Sequence, residues 1–344
     1  MTHRVVYLLG PERIEVREES VPVPREGELL VRIRAATTCG TDVKVFRRGG
    51  HPRMLRVPTP FGHEFAGSVA ALGPGVSGYK PGDRVVVANS APCGRCAYCE
   101  AGRENLCRHL EYLNGAFAEY IRIPRRFVEV STYRLDPELP YEVAALVEPV
   151  ACVIHGVDAS RLDDGADVLV HGAGPIGLLL TAVLAVRGHG VVATDPNPHR
   201  LDVARALGAR DTVEVDRRTA QSERLRSRSR DGDGFDCTID ATGIPAVWQD
   251  AVACVRPGGV VNLFGGCAPG TTIPLDTASV HYNELTVMGA YHHRPATVAR
   301  ALEMLSRKTL DPRPLLSAEV PLQGLEKALR SMMAREALKV VVRP

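Results

Sequence analysis

The sequence predicts an α/β protein in which a mainly β lobe encloses a doubly wound parallel-sheet lobe, and three observations carry that expectation. The first is length: 344 residues exceed what one ordinary hydrophobic core holds, so two lobes are expected. The second is a change of pattern near Asp167. Before it, short β-like runs are broken by Gly- and Pro-rich turns; after it, apolar strands alternate with helices. The third is the run CGRCAYCEAGRENLC, residues 93–107, whose four cysteines can staple a loop of the first lobe around one ion.

Along the chain, ELLVRIRAA (28–36) and DRVVVAN (83–89) read as short strands because β-branched residues recur in them. The turns between such strands fall at Gly73-Pro74-Gly75 and Lys80-Pro81-Gly82. From Asp167, ADVLVHGAGPIGLLLTAVLAV is an apolar strand, a glycine turn and an apolar helix. VVATDPN (191–197) is the next strand, and PHRLDVARALGA a helix ending at Gly208. FDCTIDATG (235–243), GGVVNLFGG (258–266) and LTVMGAY (285–291) add buried strands. PATVARALEMLSRKTL reads as a helix, and LKVVVRP as a strand returning to the first lobe. The expected divisions are 1–150, 151–293 and 294–344, with no internal repeat. The arginine-rich run 217–234 reads as a solvated helix face leading into a Gly-rich turn, and carries no function.

Composition excludes several classes. A net charge of +2, with 24% charged residues, gives no electrostatic case for a nucleic-acid or membrane partner. No apolar run is expected to reach membrane-span length, and the first ten residues do not read as a signal peptide. In such a chain nine cysteines suit metal binding and reduced thiols better than disulfides, so a cytoplasmic protein is expected.

Cys93, Cys96, Cys99 and Cys107 form a closed set of four soft ligands, which favours a structural zinc over disulfides or chance. Gly172, Gly174 and Gly177, with Pro175 and Ile176 between the last two, form a GxGxxG turn after a strand and before a helix. About 20 residues on, Asp195 ends the next strand, where a carboxylate accepts from ribose hydroxyls. That carboxylate repels a 2′-phosphate, so NAD is expected over NADP. Arg200 is placed to stack on adenine or neutralise the pocket, and Leu263 and Phe264 complete the candidate cofactor contacts. A second metal set can be drawn from TTCGTDVKVF (37–46), FGHEFAG (61–67) and LVEPVAC (146–152). Cys39, His63 and a carboxylate would leave one coordination position open, as reactive zinc requires, although each residue alone also reads as structural.

GHE at 62–64, the cysteine quartet, GAFAEY at 115–120, EP at 148–149 and GAGPIG at 172–177 make the chain resemble the zinc-dependent medium-chain alcohol dehydrogenase family over essentially its whole length. The resemblance implies a GroES-like catalytic lobe, a Rossmann lobe, two zinc ions per chain, NAD, and hydride transfer to or from an alcohol carbon. It makes Cys39 and His63 metal ligands, with Glu64 and Glu148 competing for the third place. Thr41 is implied to take the hydroxyl proton, while Lys44 stands where the family commonly carries a relay histidine. Lys44 would hydrogen-bond the nicotinamide ribose and shuttle protons only if burial strongly depressed its pKa; His51 is a poorly placed substitute. The EP glutamate marks the polyol and threonine dehydrogenase branch. A short link from Cys107 to Gly115 implies a more open pocket, and the polar segment FRRGGHPRM (46–54) suits a sugar, polyol or aminocyclitol. An L-threonine 3-dehydrogenase is the alternative, a non-catalytic zinc- and nucleotide-binding relative the reading from another class. The family implies a homodimer or homotetramer acting on a small polar alcohol.

Overall fold

The computed structural model describes residues 1–51, 54–216 and 221–344, so Arg53 and the start of the 217–234 run lie outside the described residues. The chain forms two compact units, Met1–Ala151 with Arg294–Pro344, and Cys152–His293.

At the centre of the first unit lies the strand Leu29–Thr37, in which every residue except Arg32 and Arg34 is buried. It pairs antiparallel with Glu64–Leu72 on one side and with Lys339–Arg343 on the other. The sheet continues outward through Arg84–Val87 and Thr132–Arg134 at one edge and Leu316–Pro321 at the other. The C-terminal strand thus enters the first unit's sheet, where Val341 faces Thr37. A hairpin of Thr2–Gly10 and Arg13–Ser20 lies alongside. The sequence reading did not mark it, because its second strand is mostly exposed and crowded with Glu and Arg.

Two of the motifs meet in this core. The Phe61 and Phe117 rings pack edge to face, 5.6 Å apart. Gly62 between Phe61 and His63 sits at φ 91°, and a Cβ there would come 2.5 Å from the Phe117 ring. The Phe117 N–H donates to the Phe61 carbonyl at 2.9 Å. GAFAEY therefore backs GHE and holds it in place, which explains why the two runs occur together.

The second unit is a fully parallel six-stranded sheet. Its order is Asp211–Glu214, Gly190–Asp195, Asp167–His171, Phe235–Asp240, Val255–Leu263, Thr286–Gly289. The chain winds outward in both directions from Asp167–His171, so the topological switch lies at that strand's carboxyl end. Asp167–His171 is buried throughout, as is the helix Pro175–Val186 from Gly177 to Leu184, in keeping with their continuous apolar runs. Asp211–Glu214 had no sequence signal, being four residues with one buried side chain.

One expectation is corrected. Tyr141–Ser160 is a helical stretch long and apolar enough, by composition, to cross a membrane. It is 83% buried inside the protein, which is how a core helix acquires that composition.

Candidate metal and nucleotide sites

The first unit gathers Cys39, His63 and Glu64, whose ligand atoms all lie within 4.8 Å of one another. Cys39 caps the helix Gly40–Arg48: its Sγ accepts from the Thr41 N–H at 3.4 Å, and its own N–H donates to Asp42 Oδ2 at 2.9 Å. Asp42 also reaches His63, with Oδ1 3.0 Å from Nδ1. That contact fixes the ring and leaves Nε2 for a ligand position, the outer-shell arrangement usual for metal-binding histidines. Burial pushes the His63 pKa down, but Asp42 and Cys39 more than reverse it and hold it well above its ordinary value. The field at this spot is thus strongly negative and suited to a cation.

Glu64, fully buried, balances a second charge. Its Oε2 accepts from Lys339 Nζ at 2.6 Å and from the Thr37 hydroxyl, while Oε1 has no partner among the described residues. Lys339 also donates to the Thr38 carbonyl at 2.6 Å. Burial works against the Lys339 charge, yet Glu64 and Cys39 raise its pKa, so it stays an ammonium inside the protein. Glu148 is buried in the first turn of Val147–Ser160 and is not in the Cys39–His63–Glu64 group. Thr41 is half-buried, and Lys44 is exposed on the same helix, which removes the burial its proton-shuttle role required. His51 Nδ1 accepts from the Met54 N–H at 3.0 Å, tying that ring into its own loop.

Asp42 and Lys339 were missed by the sequence reading. Asp42 had a signal, three residues after a candidate ligand at a helix start. Lys339 had only its oddity as a lysine in an apolar strand.

The quartet is equally tight: Cys93, Cys96, Cys99 and Cys107 offer sulfurs all within 4.8 Å. Backbone N–H groups of Cys93 and His109 point at Cys107 Sγ, at 3.2 and 3.3 Å. Backbone donors from Arg108 and Cys99 bring the Cys96 pKa down to about 6, while burial and the neighbouring sulfurs push Cys99 up to about 12. Four thiols this close cannot all shed their protons without a cation among them. None of the nine cysteines is in a disulfide, so the quartet's donor set fits a closed tetrahedral ion.

In the second unit the glycine turn forms an open cradle. Gly172 sits at φ 93°, and a Cβ on Gly177 would lie 1.7 Å from the Gly172 carbonyl oxygen. Above Gly174, the cap of Pro175–Val186, the nearest atom to a Cβ position would be Arg200 Nη1 at 4.0 Å. Free N–H groups at the helix start and this open face fit a pyrophosphate. Asp195 accepts from the Ala173 and Asn197 N–H groups, each at 2.9 Å, so it braces the turn. Beside it lies a pocket of about 110 Å³ lined by His171, Asp195, Asp216, Thr242 and Asp250, with Gly172. Arg200 is not among the lining residues and stands by the turn instead. Ile176 follows Pro175 in the helix's first turn. Leu263 packs in a small apolar cluster with Val255 and Val261, and the Phe264 ring lies against Gly156. Thr242 and Asp250 went unremarked in the sequence, since neither DATG (240–243) nor the helix Pro245–Cys254 carries a ligand signature of its own.

Comparison with known proteins follows the same lines. A family model of the alcohol dehydrogenase GroES-like domain matches residues 25–132, and one of zinc-binding dehydrogenases matches residues 175–307. Sorbitol dehydrogenase of Bacillus subtilis strain 168 is 32% identical over 342 residues, covering 96% of this chain and 94% of that protein. L-threonine 3-dehydrogenase of Idiomarina loihiensis is 32% identical over 321 residues, 92% of each chain. A protein of Sinorhizobium meliloti 1021 solved bound to NADP superposes with a TM-score of 0.92 at 28% identity, over 100% of both chains.

Proposed function

The chain belongs to the zinc-dependent medium-chain alcohol dehydrogenase family, and on that premise we propose that it moves a hydride between NAD and the carbinol carbon of a polyhydroxylated secondary alcohol or its ketone. The observation that carries the chemistry is the approach of half-buried Cys39 to buried His63, with Asp42 behind the ring and Glu64 buried beside both. When bound, zinc supplies Lewis acidity toward the substrate hydroxyl at that group and structural cross-linking at the quartet, and NAD supplies the hydride acceptor.

The protein's own residues then have distinct parts. Cys39 is held by its helix N-terminus, and Asp42 fixes the His63 ring so that Nε2 is presented. Glu148 is the direct third ligand in this reading, and Glu64 the positioning carboxylate. The Glu64 charge is already balanced by Lys339, and a direct metal bond would compete with that ammonium. Thr41 takes the hydroxyl proton of the substrate only as it releases its own, and, being half-buried, it releases that proton to water. Lys44, being exposed, contributes a hydrogen bond rather than a proton relay. Gly172, Gly174 and Gly177 admit the pyrophosphate, and Asp195 the ribose. Asp195, Asp216 and Asp250 line the neighbouring pocket with no lysine or arginine among the described lining residues, which supports NAD over a 2′-phosphorylated cofactor. The polar segment 46–54, described here except for Pro52 and Arg53, supports a hydrophilic substrate.

A panel of polyols, sugars, aminocyclitols and 3-hydroxy amino acids, each with NAD and with NADP, tests the reading by NADH or NADPH absorbance. Turnover of a polyhydroxylated ring or chain with NAD supports it; activity confined to ethanol or propan-2-ol, or preference for NADP, overturns the corresponding half. The match to L-threonine 3-dehydrogenases favours a second reading, and L-threonine in the same panel decides it. Cys39→Ser and His63→Ala are expected to abolish turnover while NAD affinity stays near wild type. We also propose a cytoplasmic homodimer or homotetramer, for which Thr286–Gly289, an edge strand among the described residues, offers a surface.

A further inference from the structure

His171 ends the first strand of the parallel sheet, immediately before Gly172, and is only 3% exposed. It lines the pocket beside the glycine turn, and its Nε2 has no hydrogen-bond partner among the described residues. The polar groups nearest it in the sheet are committed elsewhere. In register, His171 stands between Thr194 and Asp240. Asp240 accepts from the Thr242 and Gly243 N–H groups and from Trp248 Nε1 at 3.1, 2.9 and 3.0 Å. The Asp195 oxygens are taken by Ala173 and Asn197. A buried imidazole with an unmet hydrogen-bonding nitrogen is costly, and the cost is recovered when a ligand meets it.

We propose that His171 is a base-recognition residue: its imidazole hydrogen-bonds the adenine ring of the dinucleotide bound in this pocket. The inference rests on the dinucleotide reading above and narrows it to one contact. Two features commit the pocket to the adenosine half. It adjoins Asp195, where the adenosine ribose is received, and it lies outside the pyrophosphate cradle over Gly174. In an uncharged imidazole the unmet Nε2 is either an N–H or a lone pair, and the purine edge offers both an acceptor and a donor to meet it. Burial with no charge partner keeps it in that form, bringing its pKa down to about 4. The contact is the same for NAD and NADP, because the base is the same.

The test uses the full chain with zinc, titrated calorimetrically with NAD, AMP and nicotinamide mononucleotide. His171→Leu is expected to weaken NAD and AMP binding about five- to tenfold and to leave the mononucleotide within about twofold. His171→Gln, which keeps a donor and an acceptor, is expected to recover most of the loss. The thermal midpoint of nucleotide-free His171→Leu does not fall, since an unmet polar atom has been removed. NAD and AMP binding within about twofold of wild type in His171→Leu overturns the assignment. So does a lowered midpoint with unchanged binding, which marks a packing role. A wild-type protein that binds neither NAD nor AMP instead brings down the dinucleotide reading, and the inference with it.

Discussion

Lys339 and Glu64 are separated by most of the chain, yet they form the most buried ion pair described, 1% and 0% exposed at 2.6 Å. Removing one member leaves the other charged and dry, a loss of about 3–5 kcal/mol. Lys339→Met is therefore expected to lower the denaturant midpoint sharply, and Lys339→Met with Glu64→Gln to regain much of it. Urea unfolding of the three proteins checks this; equal loss in single and double variants would mean the pair does not act as a unit. His171 makes a second residue-scale prediction. Its pKa falls from 6.5 to about 4 on folding because burial disfavours the charged ring. As pH drops below 6.5 the unfolded chain takes up the proton first, so the stability from the neutral ring is present above pH 6.5 and lost between 6.5 and 4. The full loss approaches about 3 kcal/mol, and His171→Leu is expected to flatten the stability profile in that window. Parallel profiles would refute it.

At the scale of elements, the two metal sites differ in what surrounds them. The quartet's sulfurs come from one loop of the run 93–107, closed by backbone N–H groups and offering no free position. Cys39 and His63, with Glu64 beside them, come instead from a helix start and the entry to a strand. Elemental analysis is expected to give two zinc ions per chain, with mild chelation removing one and all activity. Cys96→Ser is expected to lose the chelation-resistant ion and become protease-sensitive within 93–107. A single tightly held zinc in a fully active enzyme would sink the two-site account. This scale was also the most legible in the sequence. Ligand spacing in 93–107 and the strand–GxGxxG–helix order are local patterns, set by chain geometry over a few residues. The Thr2–Ser20 hairpin and Asp211–Glu214 escaped because their burial depends on partners far along the chain.

For the molecule as a whole, the last strand of the parallel sheet, Thr286–Gly289, has Val255–Leu263 on one side and no partner on the other among the described residues. Close to it in the sequence, Leu275, Tyr282 and Tyr291 are exposed, at 42%, 80% and 38%. An open strand edge with apolar neighbours is suited to pairing with a second copy. Met288→Lys is expected to shift the assembly toward monomer in light scattering while NAD binding persists. A wild type that is already monomeric removes this surface from consideration.

What the sequence determined by itself was the fold class, the family, the two groups of soft ligands and the glycine turn. Each rests on residues close together in the chain, or on a periodicity that survives without knowledge of neighbours. The tertiary structure alone decided which residues serve those groups: Asp42 behind His63, Lys339 against Glu64, His171 at the pocket, Phe117 beneath Gly62. It also decided that the apolar stretch Tyr141–Ser160 is core. The physical reason is that charge pairing and burial are properties of through-space neighbours. A lysine in a C-terminal strand has no meaning as a partner until the sheet brings it, across 275 positions of sequence, to a carboxylate that has lost its water.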